Sequence, residues 1–211
     1  MTAPLTTHGA SRRPVAKTIK PVRLRWRVVI DTAEQHAFSF TDIKADSVQQ
    51  YRPIHVDTVR RCLGRHPNSY GDYTLESIDG PDAWSGMYRC HVERKSLEDC
   101  QSTLLGFADG HRARFESELS NLAGVIQAGG AALVVVECDL SSLLTAAPAG
   151  TTRSSQVNAR ALHRSVVSLW REYGVPWAFC GSRRMAELTT FRFLESFWRH
   201  RRKGVEDGDR T

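Results

Sequence analysis

The run Ala132-Leu133-Val134-Val135-Val136-Glu137 limits the fold more than any other stretch of the chain. It is apolar at every position before Glu137, so both faces of the strand it forms need cover. Such a strand sits in the middle of a sheet with helices packed on both sides. The segments around it supply the helices. Residues 111–127 carry Phe115, Leu119, Leu122 and Ile126 at the three-to-four spacing of a buried helix face. Ser155 to Tyr173 and Ser182 to about His200 also read as helices, and Ser96-Leu97-Glu98-Asp99 is a capping box that opens another, running to Leu105.

Further strands are expected at Leu24–Asp31, Ile54–Val59, Tyr73–Ser77, Tyr88–Glu93 and Trp177–Cys180. Asp79-Gly80-Pro81-Asp82 is turn chemistry, which makes 72–93 a hairpin with Asp72 opening one strand and Glu93-Arg94-Lys95 closing the other. Residues 32–52 and the Ser/Thr/Ala/Pro-rich 139–154 are expected to be irregular. Strands followed by helices give an α/β sandwich around a mixed sheet. On the closing helix, Leu188, Phe191, Leu194 and Trp198 recur at helical spacing and are expected in the core or at a dimer face rather than under a base.

With 211 residues and 41% hydrophobic composition, one core suffices. The expected organisation is a basic arm over 1–22, one domain over 23–203, and a tail over 204–211. The formal charge is +6, concentrated at the ends: Arg12, Arg13, Lys17, Lys20, Arg23 and Arg25, then Arg199, Arg201, Arg202 and Lys203. That balance favours a polyanionic partner such as DNA; solvated termini explain it equally well. The five cysteines form no C-x-x-C pair, no secretory signal precedes them, and no apolar run nears the roughly 20 residues of a membrane span. A reducing, cytoplasmic compartment and no membrane partner are the expectation.

The chemistry concentrates in His91-Val92-Glu93-Arg94-Lys95-Ser96-Leu97-Glu98-Asp99, with Gly71-Asp72-Tyr73 upstream. Carboxylates can hold a divalent cation, and a compact ammonium can stabilise charge on a phosphate. Lysine is scarce here: only residues 17, 20, 44, 95 and 203 among 29 basic residues. Each group also has a plainer explanation. Gly71-Asp72 can be a turn, Glu93 a surface acid, Arg94 and Lys95 solvated charges. Asp99 can serve the helix dipole, and Asp31 and Glu34 can cap local structure.

Taken together, Gly71-Asp72-Tyr73 and Val92-Glu93-Arg94-Lys95-Ser96-Leu97-Glu98-Asp99 resemble the G-D-Y … V-E-R-K-S-x-x-D pattern of the XPF-type structure-specific DNA endonucleases, in the restriction-endonuclease-like superfamily. Val29-Ile30-Asp31-Thr32-Ala33-Glu34-Gln35 resembles that family's V-D-x-R-E strand end, Gly110-His111-Arg112-Ala113-Arg114-Phe115 and Val134-Val135-Val136-Glu137 extend the match, and the similarity covers roughly residues 27–200. The resemblance implies a restriction-endonuclease-like central mixed β-sheet flanked by α-helices. It implies Mg²⁺ or Mn²⁺ held by Asp72 and Glu93, with Asp31 and Asp99 as further metal carboxylates and Glu34 in support. Lys95 would assist the attacking water or stabilise the phosphorane charge. Arg94 would touch the scissile phosphate or position an acid, and Arg112 and Arg114 are candidate DNA contacts. The implied activity is phosphodiester hydrolysis on branched, flap or otherwise structured DNA, in repair or recombination.

Ala33 departs from that pattern, where the family has Arg, and no segment reads as the tandem helix-hairpin-helix module that many members carry. DNA is then gripped by the arms, a second copy or another protein, as in small stand-alone relatives of bacteria and phages. A catalytically weak or inactive DNA-binding scaffold is the alternative, with Ala33 in its favour. A sequence-specific restriction-like enzyme on the same fold would need a recognition element that the chain does not display.

Overall fold

A computed structural model describes residues 19–63, 70–79, 89–106, 110–146 and 155–208, excepting the side chains of 155–158 and 201–208. Its strands are β1 (Val22–Arg23), β2 (Trp26–Asp31), β3 (Ile54–His55), β4 (Thr58–Arg61), β5 (Tyr73–Ser77), β6 (Cys90–Lys95), β7 (Ala131–Val136) and β8 (Trp177–Phe179). Its helices are α1 (Leu97–Leu105), α2 (His111–Gln127), α3 (Leu140–Thr145), α4 (Ser155–Tyr173) and α5 (Arg183–Gly208), with a 3₁₀ turn at Ser47–Gln49.

Six strands form one mixed sheet in the order β4-β2-β5-β6-β7-β8. The strands β2 and β4 run parallel, as do β6, β7 and β8, while β5 is antiparallel to both its neighbours. The strands β1 and β3 pair separately. As the apolar run 132–137 requires, β7 is interior and covered on both faces. Leu133 and Val135 pack with Trp26, Tyr73, Val92 and the α5 residues Phe191, Leu194 and Trp198. Ala132, Val134 and Val136 pack with Cys100 of α1, Phe115, Leu119 and Leu122 of α2, and Leu162 and Leu169 of α4. The α5 stripe is therefore core, and Trp26 stacks on Phe191 with ring centroids 5.6 Å apart.

This two-period logic continues in β6. Its even residues Cys90, Val92 and Arg94 face α5, and its odd residues His91, Glu93 and Lys95 face the α1–α2 layer. Ser96 caps α1 by accepting the Asp99 amide, as its capping-box sequence requires.

Four expectations need correction. The strand expected over 54–59 is two: β3 pairs with β1 while β4 crosses to the edge of the main sheet beside β2. The loop expected over 139–154 contains α3, because Asp139 accepts the Ser142 amide at 2.8 Å and Leu143 is fully buried beneath it. Residue 22, placed in the arm, belongs to β1, and α5 runs through the expected boundary at 203 to Gly208. The strand expected from Tyr88 begins at Cys90 and extends to Lys95. Most of the arm, the turn residues 80–82, and Met87 and Tyr88 lie outside the described residues. Among the described residues, no helix is long and apolar enough to cross a membrane.

Candidate active site

Gly71 sets the geometry. Its φ is +72°, a region costly for side chains, and a Cβ there would meet the Val92 carbonyl oxygen at 2.9 Å. Without that atom the chain enters β5 pressed against β6. Asp72 N–H donates to Val92 O at 2.9 Å, and Asp72 O accepts Asp31 N–H at 2.8 Å. Its carboxylate accepts the Arg94 amide at 2.7 Å. Because Tyr73 lies opposite Val92, the next pair along the ladder is Asp72 and Glu93, both on the α1–α2 face.

Lys95 completes this group. Its Nζ lies 2.9 Å from Glu93 Oε1, 3.4 Å from Asp99 Oδ2 and 3.8 Å from Glu118 Oε2. It sits 4.5 Å from the centre of the Phe115 ring, with the residue only 4% exposed. Asp72, Glu93, Lys95 and Asp99, four residues singled out in the sequence, thus stand together.

The others are placed differently. Arg94 points to the opposite face, where its Nε and Nη2 donate to Glu34 at 2.9 and 3.3 Å and its Nη1 to Glu137 at 2.7 Å. Of the two roles considered for Arg94, this side chain meets acids; it is spoken for, and its backbone amide is what touches Asp72. Glu34 is accordingly an Arg94 partner and also accepts the His36 amide. Asp31 accepts the Leu63 amide at 3.1 Å and holds the chain after β4. Arg112 is tied to Glu116 at 2.6 Å and to Leu104 O at 3.2 Å, whereas Arg114 is mostly exposed beside Glu118. Ala33 is exposed at the surface.

Sequence reasoning missed Glu118 and Arg183, and named Glu137 only as part of a matching string, without a role. Glu118 lies three residues after Phe115 and one before Leu119, on the edge of the apolar stripe, and that offset was the available signal. Glu137 continues the alternation of Leu133 and Val135, so it lands on the Arg94 side. Arg183 opens α5 and meets Glu137 at 2.5 Å while donating to the His36 and Ala37 carbonyls; nothing in its local sequence marks it.

The electrostatics separate the two faces. Burial raises the Asp72 carboxyl to about 7, opposed by the Arg94 amide and reinforced by the charge on Glu34. Burial and then the Asp72 charge push Glu93 well up, even with Lys95 in contact. Burial works against the Lys95 ammonium, but Glu93, Asp99 and Glu118 outweigh it and keep the lysine charged. On the far face burial would raise Glu34, yet its bonds to Arg94 and His36 hold it below the ordinary carboxylate range.

A hard divalent cation fits the donor chemistry of Asp72 and Glu93: two oxygen ligands, mutually repelling and desolvated, relieved by positive charge. Among the described residues no group of three or more His, Cys, Asp or Glu converges as a ready metal cage.

The six-stranded mixed sheet with helices on both faces is a fold like that of XPF. Among solved structures, XPF from Aeropyrum pernix matches with a TM-score of 0.50 and 18% identity, over 86% of this chain and 69% of that one. Its complex with DNA matches with a TM-score of 0.49 and 18% identity, over 81% and 64%. No protein-family model and no curated protein matches the chain.

Proposed function

We propose that this protein is a Mg²⁺- or Mn²⁺-dependent DNA endonuclease that hydrolyses phosphodiester bonds in branched, flap or otherwise structured DNA. The observation that carries the reading is the juxtaposition of Asp72 and Glu93 across β5 and β6 with Lys95 on the same face. Asp72 and Glu93 would hold the cation, with Asp99 beside Lys95 as a further oxygen donor. Polarising a phosphoryl oxygen and acidifying a water is the chemistry that such a cation supplies. Lys95 is kept charged for the phosphate by its acids, and the Arg94 amide orients Asp72. Arg94, Glu34 and Glu137 form a structural ion-pair group that fixes the end of β6. Arg114, largely exposed one turn from Glu118, suits a backbone contact better than Arg112, whose guanidinium is already engaged. The net charge of +6 favours a polyanionic substrate.

One observation favours the scaffold alternative, a catalytically weak DNA-binding protein of the same fold: the absence of a preformed three-ligand cage among the described residues. A panel of flap, fork, Holliday-junction, single-stranded and plain duplex substrates, with Mg²⁺, Mn²⁺ or EDTA, decides between them. The endonuclease reading expects cation-dependent nicking that prefers a branched substrate and vanishes in EDTA. Binding of the same substrates with no cleavage under either cation supports the scaffold and overturns the enzyme.

A further inference from the structure

Lys95 has three carboxylates within 4 Å of its ammonium. The ammonium contacts Glu93 at 2.9 Å, and Asp99 and Glu118 stand behind at 3.4 and 3.8 Å. Glu118 Oε2 is sealed from solvent and has no hydrogen-bond partner among the described residues. The other oxygen of Glu118 lies 3.5 Å from Arg114 Nε. A buried carboxylate oxygen left unpaired is unfavourable, so its persistence at this point calls for a use. The helix explains why it stays there. Phe115, under the ammonium, and Glu118 are three apart on α2, and the fully buried Leu119 anchors the turn between β7 and α1.

The two loads on Glu93 conflict. A divalent cation and an ammonium on one carboxylate repel each other strongly in a desolvated site. Lys95 cannot escape to solvent, being 4% exposed and seated over Phe115. Asp99 is 44% exposed at its side chain and Glu118 31%, but Glu118 Oε2 itself is sealed from solvent, 3.8 Å from the ammonium and without a hydrogen-bond partner among the described residues. Resting on the metal-dependent reading above, we infer that Glu118 is a positioning residue whose Oε2 receives the Lys95 ammonium from Glu93 when Glu93 engages the cation. Glu118 thereby frees a ligand and holds the lysine charged on the phosphate side of the site.

Titration of the full chain with Mn²⁺, followed by electron paramagnetic resonance or calorimetry and without DNA, tests this apart from activity. Glu118→Gln keeps the size of the side chain and removes its charge, and a metal-free melting curve equal to the parent's is the control that it folds. It is expected to weaken Mn²⁺ binding about tenfold, the low end of what outer-shell partners contribute. In a Lys95→Met background the same change is expected to alter affinity less than about twofold, because no ammonium remains to be received. An unchanged Mn²⁺ affinity in Glu118→Gln overturns the inference while leaving the metal site standing. Equal weakening in both backgrounds also overturns it, since Glu118 then acts on the cation directly. A parent chain without saturable Mn²⁺ binding sinks the metal reading itself and this inference with it. A second readout leaves Lys95 intact. The chain has only five lysines, so the Lys95 Nζ resonance can be resolved. It is expected to shift on Mg²⁺ addition in the parent and not in Glu118→Gln, and identical shifts in both count against the proposal.

Discussion

Tyr73 lies opposite Val92 across the antiparallel β5–β6 pair, and that register alone sets Asp72 against Glu93 on the face that carries Lys95. A slip of one residue would turn Glu93 and Lys95 towards α5 and bring Arg94 to the acids. The register is guarded by Gly71, the residue through which β5 enters beside the Val92 carbonyl.

Gly71→Ala is therefore expected to destabilise the fold by about 2 kcal/mol or more, from the left-handed backbone cost plus a contact at 2.9 Å with Val92 O. Urea unfolding followed by circular dichroism measures it. A midpoint equal to the parent's would mean that the β5–β6 entrance is not as tight as described.

Asp72→Asn and Glu93→Gln are each expected to lower cleavage by on the order of 10²–10³ while leaving DNA affinity nearly unchanged, since each removes a metal ligand and no surface cation. Single-turnover cleavage and gel-shift assays on the best substrate of the panel give the two numbers. Full activity in either variant would place the chemistry elsewhere.

The raised Asp72 carboxyl predicts an uncommon pH dependence for the metal-free protein. Its folded value of about 7 exceeds that of an ordinary aspartate, so the native state binds the extra proton between the two values. That contribution is present below the unfolded value and is lost as pH rises through about 7, so stability falls towards alkaline pH. Glu93 is displaced in the same direction. Thermal melts in EDTA are expected to drop by roughly 5 °C between mildly acidic and mildly alkaline buffer. Asp72→Asn should flatten the slope, and Mn²⁺ should restore the alkaline loss by binding the ionised pair. A slope unchanged by Asp72→Asn would assign the titration to another group.

On the other face, Arg94→Ala strips Glu34 and Glu137 of their shared cation. With the Arg94 and Glu34 side chains 10% and 6% exposed, the loss is expected to reach about 3 kcal/mol. Arg94→Lys should recover only part of it, because one ammonium cannot reproduce the fork that reaches both acids. Chemical denaturation of the three proteins checks the order parent, Lys, Ala.

Local chemistry was legible where a pattern repeats over several turns or alternations. The stripe Phe115, Leu119, Leu122 marked α2 over its observed span, Ser96 and Asp99 marked the start of α1, and the apolar 132–136 marked an interior strand. The E-R-K string and Gly71-Asp72 placed acids and a lysine at strand ends. Short elements escaped: α3 depends on Leu143 being buried among neighbours distant in sequence, and β3 and β4 split because they pair with different strands.

The sequence by itself determined the four longer helices, the interior strand and the pair of strand ends bearing Asp72, Glu93 and Lys95, because helical hydrogen bonding and side-chain periodicity are local. Only the tertiary structure decided that Arg94 turns away to Glu34 and Glu137, that Asp31 caps the Leu63 amide, and that Glu118 joins the lysine. Those partners lie between 23 and 60 residues apart along the chain, and no local periodicity encodes which strand neighbours which or which helix face turns inward.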